Sequence, residues 1–593
     1  MEIYAKRYAL YQQKYNEIRK KYKLIGALRL IAFLGIVYCF YLSVSRGDYQ
    51  YLYVTGGLVI VFLIFLRIHA SYSWKMRYAE ALMQINKEED QFIKEDQWNF
   101  EDGAEFHTPD HSYAYDLDIF GPKSIYQYLN RTASYKGKEY LATLLKSRSN
   151  KADILKNQEV IKELSQKVEW RQEIYAYSKL SNLSKDVYLR LKAWSESKVN
   201  ELSKVSLVLA YVLPLIFVLA SIGFFIDSTN AVWGYIASTV FSFNLICALS
   251  KVRAIQVELG GVEKIHETIE SYSSIIKRIE KEEFATARMK EYLKEIKSDS
   301  FKASAELKKL SRLFEQLETV ANLFVSILFN GLFQFHVHVL HKFLKWKKEK
   351  GRLVLTVIDI VGEVEAFNSL GNYSYNNRSY TFPVLNETKK MSFQNLGHPL
   401  IHAKKRVTND IDFSNQRFVI LTGSNMSGKS TFLRTIGVNL VLAGIGAPIC
   451  ATKATFFPLP LLVSMRLTDS LEDSESYFYA EVKRLKMIIE QVQSESCFVL
   501  LDEILRGTNS DDKQSGTIGV ILKLIREQTY GMIATHDLEV CNTTNDYPEI
   551  LMNKCFEVEI KNDDLHFDYK IRDGICQNKN ATFIMKKMQI IDS

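Results

Sequence analysis

GSNMSGKST, residues 423–431, decides the fold of the C-terminal part of this chain. The apolar run FVIL at 418–421 precedes it and residues with helical periodicity follow, so the stretch is expected to join a buried strand to a helix. The pattern G-x-x-x-x-G-K-[ST] is met by Gly423, Gly428, Lys429 and Ser430. A glycine-rich loop that opens a helix is the arrangement that holds nucleotide phosphates.

The residue types of this loop each have a chemical reason. Glycines let backbone N–H groups curl around phosphate oxygens, Lys429 would reach the β- and γ-phosphates, and the Ser430 hydroxyl would bind a magnesium ion. The predicted nucleotide-binding residues are Gly423, Ser424, Asn425, Met426, Ser427, Gly428, Lys429, Ser430 and Thr431.

A second predicted strand, FVLLDE at 498–503, ends in two carboxylates. Asp502 is placed to hold the magnesium shell, and Glu503 to orient or deprotonate the attacking water. A further apolar run ends in Thr535 and His536, and we expect His536 to contact the γ-phosphate region. From residue 393 onward short β-type runs alternate with helices, which predicts an α/β domain with a largely parallel sheet.

The chain as a whole is too long for one core, since 593 residues predict about two to four domains. Its formal net charge of +8 permits a nucleic-acid or anionic-lipid partner without requiring either. Seven cysteines show no C-x-x-C spacing, so we expect a reducing compartment, free thiols and no zinc site.

Four apolar windows come near the roughly 20 residues that a membrane-spanning helix needs. They pair into two predicted transmembrane hairpins, 24–44 with 51–68 and 205–226 with 231–250. Buried helices of a large soluble protein are the alternative, and Arg29 inside the first window counts toward it, although its side chain could extend to the interface. Cations flank both hairpins and are nearly absent from the connecting loops, so we expect both to start and end on the cytoplasmic side of the inner cell membrane.

A fifth segment, 320–340, is expected to be a packed or amphipathic helix rather than a span. It contains the polar residues Asn322, Asn330, Gln334, His336 and His338. An odd number of spans would also move the loop at 423–431 across the membrane. Whether the segment is embedded stays open at this point.

Changes in composition and in hydrophobic pattern along the chain predict five parts. They are an N-terminal membrane hairpin (1–77), a connector (78–125), a helical core or lever with the second hairpin inserted (126–350), a linking helix and strands (351–394), and the α/β domain (395–593). Long paired helices are expected in the third part because Leu and Ile recur there at helical spacing among Lys and Glu.

Several motifs together resemble the ATPase domain of the MutS family of DNA mismatch-repair proteins, a branch of the ABC-type P-loop ATPases. They are GSNMSGKST, SESYFYAEV, LLDEILRGTNSDD and ATHD, in that order. NLGHPLI at 395–401 and LNRTASYKGKEYLATLL at 129–145 resemble the segment before this domain and the opening of the family's helical core. The resemblance is strong over roughly 395–585 and fair over 115–200.

The resemblance implies ATP and Mg²⁺ as ligands and a homodimer with composite sites. Asn425 would lie near the γ-phosphate and its water, with Glu503 and His536 as the other catalytic residues. Ser476 matches the signature serine that contacts the nucleotide of the partner subunit, and the loop Asn509, Ser510 and Asp511 would cross the dimer interface. An ABC-type α/β domain with a largely parallel sheet is thus expected after a long all-α region that carries two membrane hairpins.

Two functions remain open at the level of sequence. The first is a membrane-anchored dimeric ATPase that binds DNA in an ATP-dependent, mismatch-repair-like manner at the cytoplasmic face. The second is an ATP-driven factor that acts on the lipid bilayer or a membrane protein and binds no DNA. The absence of the family's Phe-x-Glu wedge before residue 150, where the first hairpin lies instead, favours the second.

Overall fold

The computed structural model describes residues 2–227, 229–260, 265–466, 477–506, 508–561 and 564–576. Helices form the N-terminal part and two sheets lie in the C-terminal part, which confirms the predicted division into a helical region and a sheet-containing region.

The first two helices, α1 (Glu2–Arg46) and α2 (Gln50–Glu95), form an antiparallel hairpin. Each is about 68 Å long at 1.5 Å per residue, more than twice the roughly 30 Å of a hydrocarbon core, so both extend well beyond their apolar windows. Helix α2 also crosses the boundary predicted at 77/78. No Gly or Pro lies between residue 77 and Asp96, which adopts a left-handed φ of 54° and ends the helix.

The core helices follow, with the second apolar pair inserted among them. Before this pair lie α3 (Ile125–Leu129), α4 (Tyr135–Lys146), α5 (Lys151–Gln166), α6 (Val168–Ser181) and α7 (Lys185–Glu196). The apolar pair is α8 (Lys204–Ile226) and α9 (Ala231–Leu249). After it come α10 (Val252–Leu259), α11 (Ile265–Glu280), α12 (Ala287–Ile296), α13 (Ala303–Glu318), α14 (Leu323–Phe333) and α15 (Phe335–Asn376).

Helix α15 is the axis of this region, because α4, α5, α7 and α13 all pack against it. It runs through the boundary predicted at 350/351, so the predicted linking helix is the C-terminal half of α15. The predicted single helix over 320–340 is also wrong, since the chain breaks between α14 and α15 at Gln334. Gln334 adopts a left-handed φ of 48°, which an α-helix cannot accommodate.

Four helical stretches among the described residues are long and apolar enough to cross a membrane. They are Glu2–Arg46, Gln50–Glu95, Lys204–Ile226 and Ala231–Leu259. Within their apolar windows at most 11% of the residues are buried inside the protein. Such contiguous exposed apolar surface is unusual for a soluble protein.

The C-terminal part contains ten described strands. They are β1 (Val384–Leu385), β2 (Ser392–Leu396), β3 (Asn409–Asp412), β4 (Phe418–Gly423), β5 (Lys453–Phe456), β6 (Leu461–Ser464), β7 (Phe498–Asp502), β8 (Tyr530–Ala534), β9 (Leu551–Lys561) and β10 (Asp564–Asp573). The helices between them are α16 (Lys429–Gly444), α17 (Tyr477–Ser494), α18 (Ser510–Arg526) and α19 (Thr543–Asp546).

The larger sheet has the order β10-β9-β4-β8-β7-β6. Its strands are parallel except for β10, which pairs antiparallel with β9. The smaller sheet, β1-β5-β2-β3, is mixed. Because the carboxyl ends of parallel strands meet at one edge, the residues that follow β4, β7 and β8 are brought together there.

The segment between α2 and α3 lies along the β6 edge of the larger sheet. Val463 N–H donates to the Ser112 carbonyl at 2.9 Å. Asp116 accepts from the N–H groups of Met465 and Arg466 at 2.7 and 2.8 Å. The predicted connector therefore begins after Glu95 and covers a sheet edge, which would otherwise expose unpaired backbone groups.

Candidate functional site

The loop between β4 and α16 follows the path that its glycines permit. A side chain at Gly423 would place its Cβ 2.6 Å from the Ser427 hydroxyl and 3.0 Å from the Phe556 carbonyl oxygen. Gly428 has a φ of 105°, which side-chain-bearing residues rarely adopt, and it leads directly into α16. The loop thus turns sharply and leads into the N-terminus of a helix, where anions are stabilised.

Lys429, the first residue of α16, is buried against this loop. Its ammonium group donates to the carbonyls of Gly423 and Ser424 at 2.9 and 3.1 Å. Burial lowers the pKa of Lys429, and the nearby carboxylates of Glu503 and Asp502 oppose this shift. The cation is therefore held at the mouth of the loop before any ligand is present.

Asp502 and Ser430 meet at the carboxyl edge of the sheet. Burial raises the pKa of Asp502, and the neighbouring Ser430 hydroxyl opposes this shift. Among the described residues, Asp502 Oδ1 and the Ser427 hydroxyl are buried without a hydrogen-bond partner. Buried polar atoms are normally paired, so these two atoms fit a bound cation and an anion respectively.

Glu503 is held between a histidine and an arginine. Glu503 Oε1 lies 2.8 Å from His536 Nε2, and Oε2 lies 3.3 Å from an Arg506 guanidinium nitrogen. The hydrogen bond from His536 is the main cause that lowers the pKa of Glu503 to about 2. The carboxylate is therefore ionised at neutral pH.

The same contacts indicate which nitrogen of His536 carries the proton. His536 Nε2 is also 3.1 Å from the Lys429 ammonium nitrogen. Nε2 can either accept a hydrogen bond from Lys429 or donate one to Glu503, but it cannot do both. An ionised carboxylate only accepts, so we assign the proton to Nε2 and its hydrogen bond to Glu503. Lys429, Glu503 and His536 consequently form one contiguous charged group.

Glu481 of α17 supports the charged group of Lys429, Glu503 and His536 indirectly, because it contacts none of these three side chains. Its oxygens accept from Leu505 N–H at 2.7 Å and Arg506 N–H at 3.0 Å, and the residue is 3% exposed. The turn that it holds contains two left-handed residues, Glu503 at φ 49° and Leu505 at φ 60°. The sequence analysis gave Glu481 no role beyond its place in the motif SESYFYAEV, and only its contacts show the positioning role.

A cavity of about 420 Å³ opens above the loop. Asn425, Ser430 and Glu503 line it. Apolar and aromatic side chains also line it, including Leu396, Ile401, Val407 and Tyr569. Sequence analysis did not predict this apolar lining, although the motif NLGHPLI at 395–401 contributes Leu396 and Ile401 to it.

The structure brings most of the predicted site residues together. Residues 423–431, Asp502, Glu503 and His536 lie at one sheet edge. Ser476 lies outside the described residues. Asn509 caps α18 through its side-chain oxygen, which accepts from Asp512 N–H at 2.8 Å, and Asn509, Ser510 and Asp511 are exposed at that helix N-terminus.

Comparison with known proteins agrees with this arrangement. The family model described as MutS domain V matches residues 419–591. Residues 419–591 of the chain are therefore a MutS-family domain.

Its relatives in this family include proteins from bacteria and mammals. The DNA mismatch repair protein MutS of Thermotoga petrophila is 30% identical over 253 residues, which are 42% of this chain and 31% of the relative. The MutS protein homolog 4 of Homo sapiens is 31% identical over 194 residues, which are 31% of this chain and 20% of the relative. The chain thus spans less than a third of the length of these MutS-family relatives.

Proposed function

We propose that this MutS-family protein binds ATP with Mg²⁺ in the 420 Å³ cavity and hydrolyses its γ-phosphate bond. The observation that carries the proposal is the contiguous group of Lys429, Glu503 and His536 beside a loop built to receive phosphate. The apolar lining with Tyr569, whose ring lies close to Gly428 of the phosphate loop, gives a nucleobase a surface to lie against.

The residues of the chain would divide the work as follows. Backbone N–H groups of residues 423–428 and the Lys429 ammonium bind phosphate oxygens, and Asn425 lines the cavity beside them. Ser430 and Asp502 would hold Mg²⁺, which offsets phosphate charge when it is bound. Glu503 accepts a hydrogen bond from the attacking water and orients it, and His536 keeps the Glu503 carboxylate in place.

The low pKa of Glu503 limits its role. A carboxylate with a pKa of about 2 is a weak base at neutral pH, so its main contribution is orientation of the water rather than removal of a proton.

We further propose that two copies of the chain complete each site. The exposed loop Asn509, Ser510 and Asp511 at the start of α18 would contact the second copy, and Ser476 of each copy would reach the nucleotide of the other. The support for this is the family resemblance of LLDEILRGTNSDD together with the exposure of the loop. Activity should then rise with protein concentration.

The four apolar helical stretches are proposed to span the inner cell membrane as two hairpins. Their exposed apolar windows would face lipid, and the flanking cations support a cytoplasmic position for the helical core and the proposed ATPase site. The water-exposed ends of α1 and α2 then join the membrane to the core, since Tyr4 near the start of α1 donates to Asn376 of α15 at 2.8 Å.

DNA is the first candidate for the ligand of this ATPase. The relatives include DNA mismatch repair proteins, which supports ATP-dependent DNA binding at the cytoplasmic face. The second candidate is a bilayer or membrane protein without DNA, and a specific observation favours it. The hairpin α8–α9 is inserted between core helices α7 and α10, so membrane-exposed surface is built into the helical core itself.

ATP hydrolysis by the full chain in lipid nanodiscs distinguishes these cases. The rate is measured without DNA and with duplex, mismatched and branched DNA, for the natural chain, for Glu503→Gln and for Glu549→Gln as an exposed control in the same domain. We expect hydrolysis that Glu503→Gln abolishes and Glu549→Gln leaves unchanged. Stimulation by DNA supports the first candidate, and a rate that responds only to lipid composition supports the second. Equal rates in Glu503→Gln and Glu549→Gln would contradict the ATPase proposal.

A further inference from the structure

Helix α14 presents an apolar surface that no other described part of the chain covers. Its exposed side chains are Leu323, Phe324, Ile327, Leu328, Phe329 and Phe333. Leu323 and Phe324 are about three-quarters exposed, at 74% and 75%. The eleven residues carry no charge, and the Asn330 side chain is turned inward. Water would solvate such a face poorly.

The preceding helix does not continue this surface. Helix α13 carries charges along one side and packs the other into the core, where Phe314 lies 4.9 Å from the ring of Phe343. Its direction differs from that of α14 by 106°. At 1.5 Å per residue α14 is about 16 Å long, roughly half of a 30 Å hydrocarbon core. Helix α14 is therefore too short to span a membrane alone, and α13 does not lengthen it.

Contacts with α8 and α9 define how far along these two helices α14 lies. Asn244 of α9 donates to the Gly331 carbonyl at 2.9 Å, and Gln334 donates to the Leu209 carbonyl of α8 at 3.3 Å. Leu209 is five residues beyond Lys204 and Asn244 is six residues before Ser250. Both lie about 8–9 Å along their helices from the ends that bear the flanking cations.

The close approach of α14 to α9 depends on Gly331. A Cβ at this position would lie 2.2 Å from the Phe241 ring, so a larger residue would force the helices apart. Phe241 is nine residues before Ser250, about 13 Å into the apolar stretch. Helix α14 is thus packed against the membrane-facing part of α9 and not against its polar end.

The break after α14 is suited to an apolar environment, because its polar groups are satisfied within the protein. Gln334 N–H donates to the Asn330 carbonyl at 2.9 Å, and the Gln334 side chain also donates to Asn244 Oδ1 at 2.8 Å. His336 N–H donates to Asn330 Oδ1 at 3.0 Å, and a His338 ring nitrogen donates to the Ala210 carbonyl at 2.9 Å. Non-helical backbone is tolerated at membrane depth only when it is buried in protein in this way.

We infer that α14 is a re-entrant helix, embedded in the cytoplasmic leaflet beside α8 and α9, whose exposed face contacts lipid acyl chains. This rests on the proposed membrane span of α8 and α9. The apolar surface of α14 is continuous with theirs, which identifies lipid as its partner. The chain enters and leaves on the same side, so the number of complete spans stays even and the ATPase site stays cytoplasmic.

The position of α14 in the chain gives this contact a consequence. Residue 334 separates it from α15, which extends over 42 residues through the helical core. Any tilt of α15 would therefore change the position of α14 in the leaflet.

A photo-crosslinking experiment on the full chain tests the inference. p-Benzoylphenylalanine replaces Phe324 or, as a second position, Ile327 of α14, and the protein is placed in vesicles of phosphatidylethanolamine and phosphatidylglycerol with labelled acyl chains. Val218 of α8 is the membrane control, and Leu189 of α7, 48% exposed, is the water-facing control. We expect acyl-chain labelling at 324 and 327 within a factor of about two of that at 218, and about tenfold above that at 189.

Two results would overturn it. Lipid labelling at 218 with none at 324 or 327, or crosslinks from 324 and 327 to a second copy of the chain, would leave the spans intact and remove α14 from the leaflet. An absence of labelling at 218 as well would reject the membrane span, and the position of α14 with it. Thermal unfolding of each variant, matched to that of the natural chain, controls for folding.

Discussion

Glu481→Gln is expected to slow ATP hydrolysis although Glu481 lies outside the cavity. Its two oxygens hold the N–H groups of Leu505 and Arg506, at 2.7 and 3.0 Å, in a turn with two left-handed residues. Glutamine has the same shape but only one accepting oxygen, so its amide nitrogen would face one of the two N–H groups. The turn would no longer be held in its present form.

The magnitude follows from the bond that is lost. A hydrogen bond to a charged group contributes about 1.5–3 kcal/mol, and each left-handed non-glycine residue costs about 1–2 kcal/mol that the turn must recover from its contacts. If the transition state loses that amount of stabilisation, the rate falls by about 10- to 100-fold, since 1.4 kcal/mol corresponds to a factor of ten. Nucleotide affinity should change little, because Glu481 touches none of the residues of the phosphate loop.

The assay compares kcat at saturating ATP with the affinity for nucleotide and the midpoint of thermal unfolding. Glu490→Gln is the matched control, since Glu490 lies on the same helix and its side chain is 60% exposed beside Lys486. We expect a large loss of kcat in Glu481→Gln and none in Glu490→Gln. A kcat for Glu481→Gln within twofold of the control would refute the positioning role. A loss of nucleotide affinity equal to the loss of kcat would refute it too.

Three further changes probe other parts of the structure. Lys429→Met should lower affinity for a fluorescent ATP analogue by more than about tenfold, because it removes the cation at the mouth of the phosphate loop. Gly428→Ala should lower affinity as well, measured in the same way, because alanine is strained at a φ of 105°. Glu365→Ala should cost about 3 kcal/mol of unfolding free energy in denaturant titration, because the buried carboxylate accepts from Ala133 N–H and Ser134 N–H, both at 3.0 Å. Burial raises the pKa of Glu365, so the folded state holds the carboxyl proton more tightly than the unfolded state does. The unfolding free energy therefore falls as the pH rises through the pKa that Glu365 has in the folded state. Glu365→Gln should remove this pH dependence of the unfolding free energy.

The sequence alone predicted, to the level of individual residues, which side chains the structure brings together at the carboxyl edge of the larger sheet. GSNMSGKST and FVLLDE are local patterns in which residue type and spacing already dictate a strand, a turn and a helix start. The apolar windows could be identified just as readily, because a run of about 20 apolar residues is recognised without knowing what packs against it. Both patterns are contiguous in the chain, and this is why they could be read.

Several contacts between residues far apart in sequence were not predicted. The Glu481 contacts join residues 24 and 25 positions apart, and Tyr569 reaches the cavity from β10. The length of α2 and the break at Gln334 also differed from expectation. Asn330, Gln334 and His336 made the segment 320–340 look too polar for a membrane, whereas folding pairs these side chains with Asn244, with the α8 carbonyls and with each other.

The sequence by itself therefore determined which groups form the candidate site and which segments are apolar enough for lipid. The tertiary structure decided which polar groups are satisfied internally, and hence which surface of each segment faces outward. The physical reason is that hydrophobicity is a property of each residue, while the cost of a polar group depends on whether a partner from elsewhere in the chain reaches it.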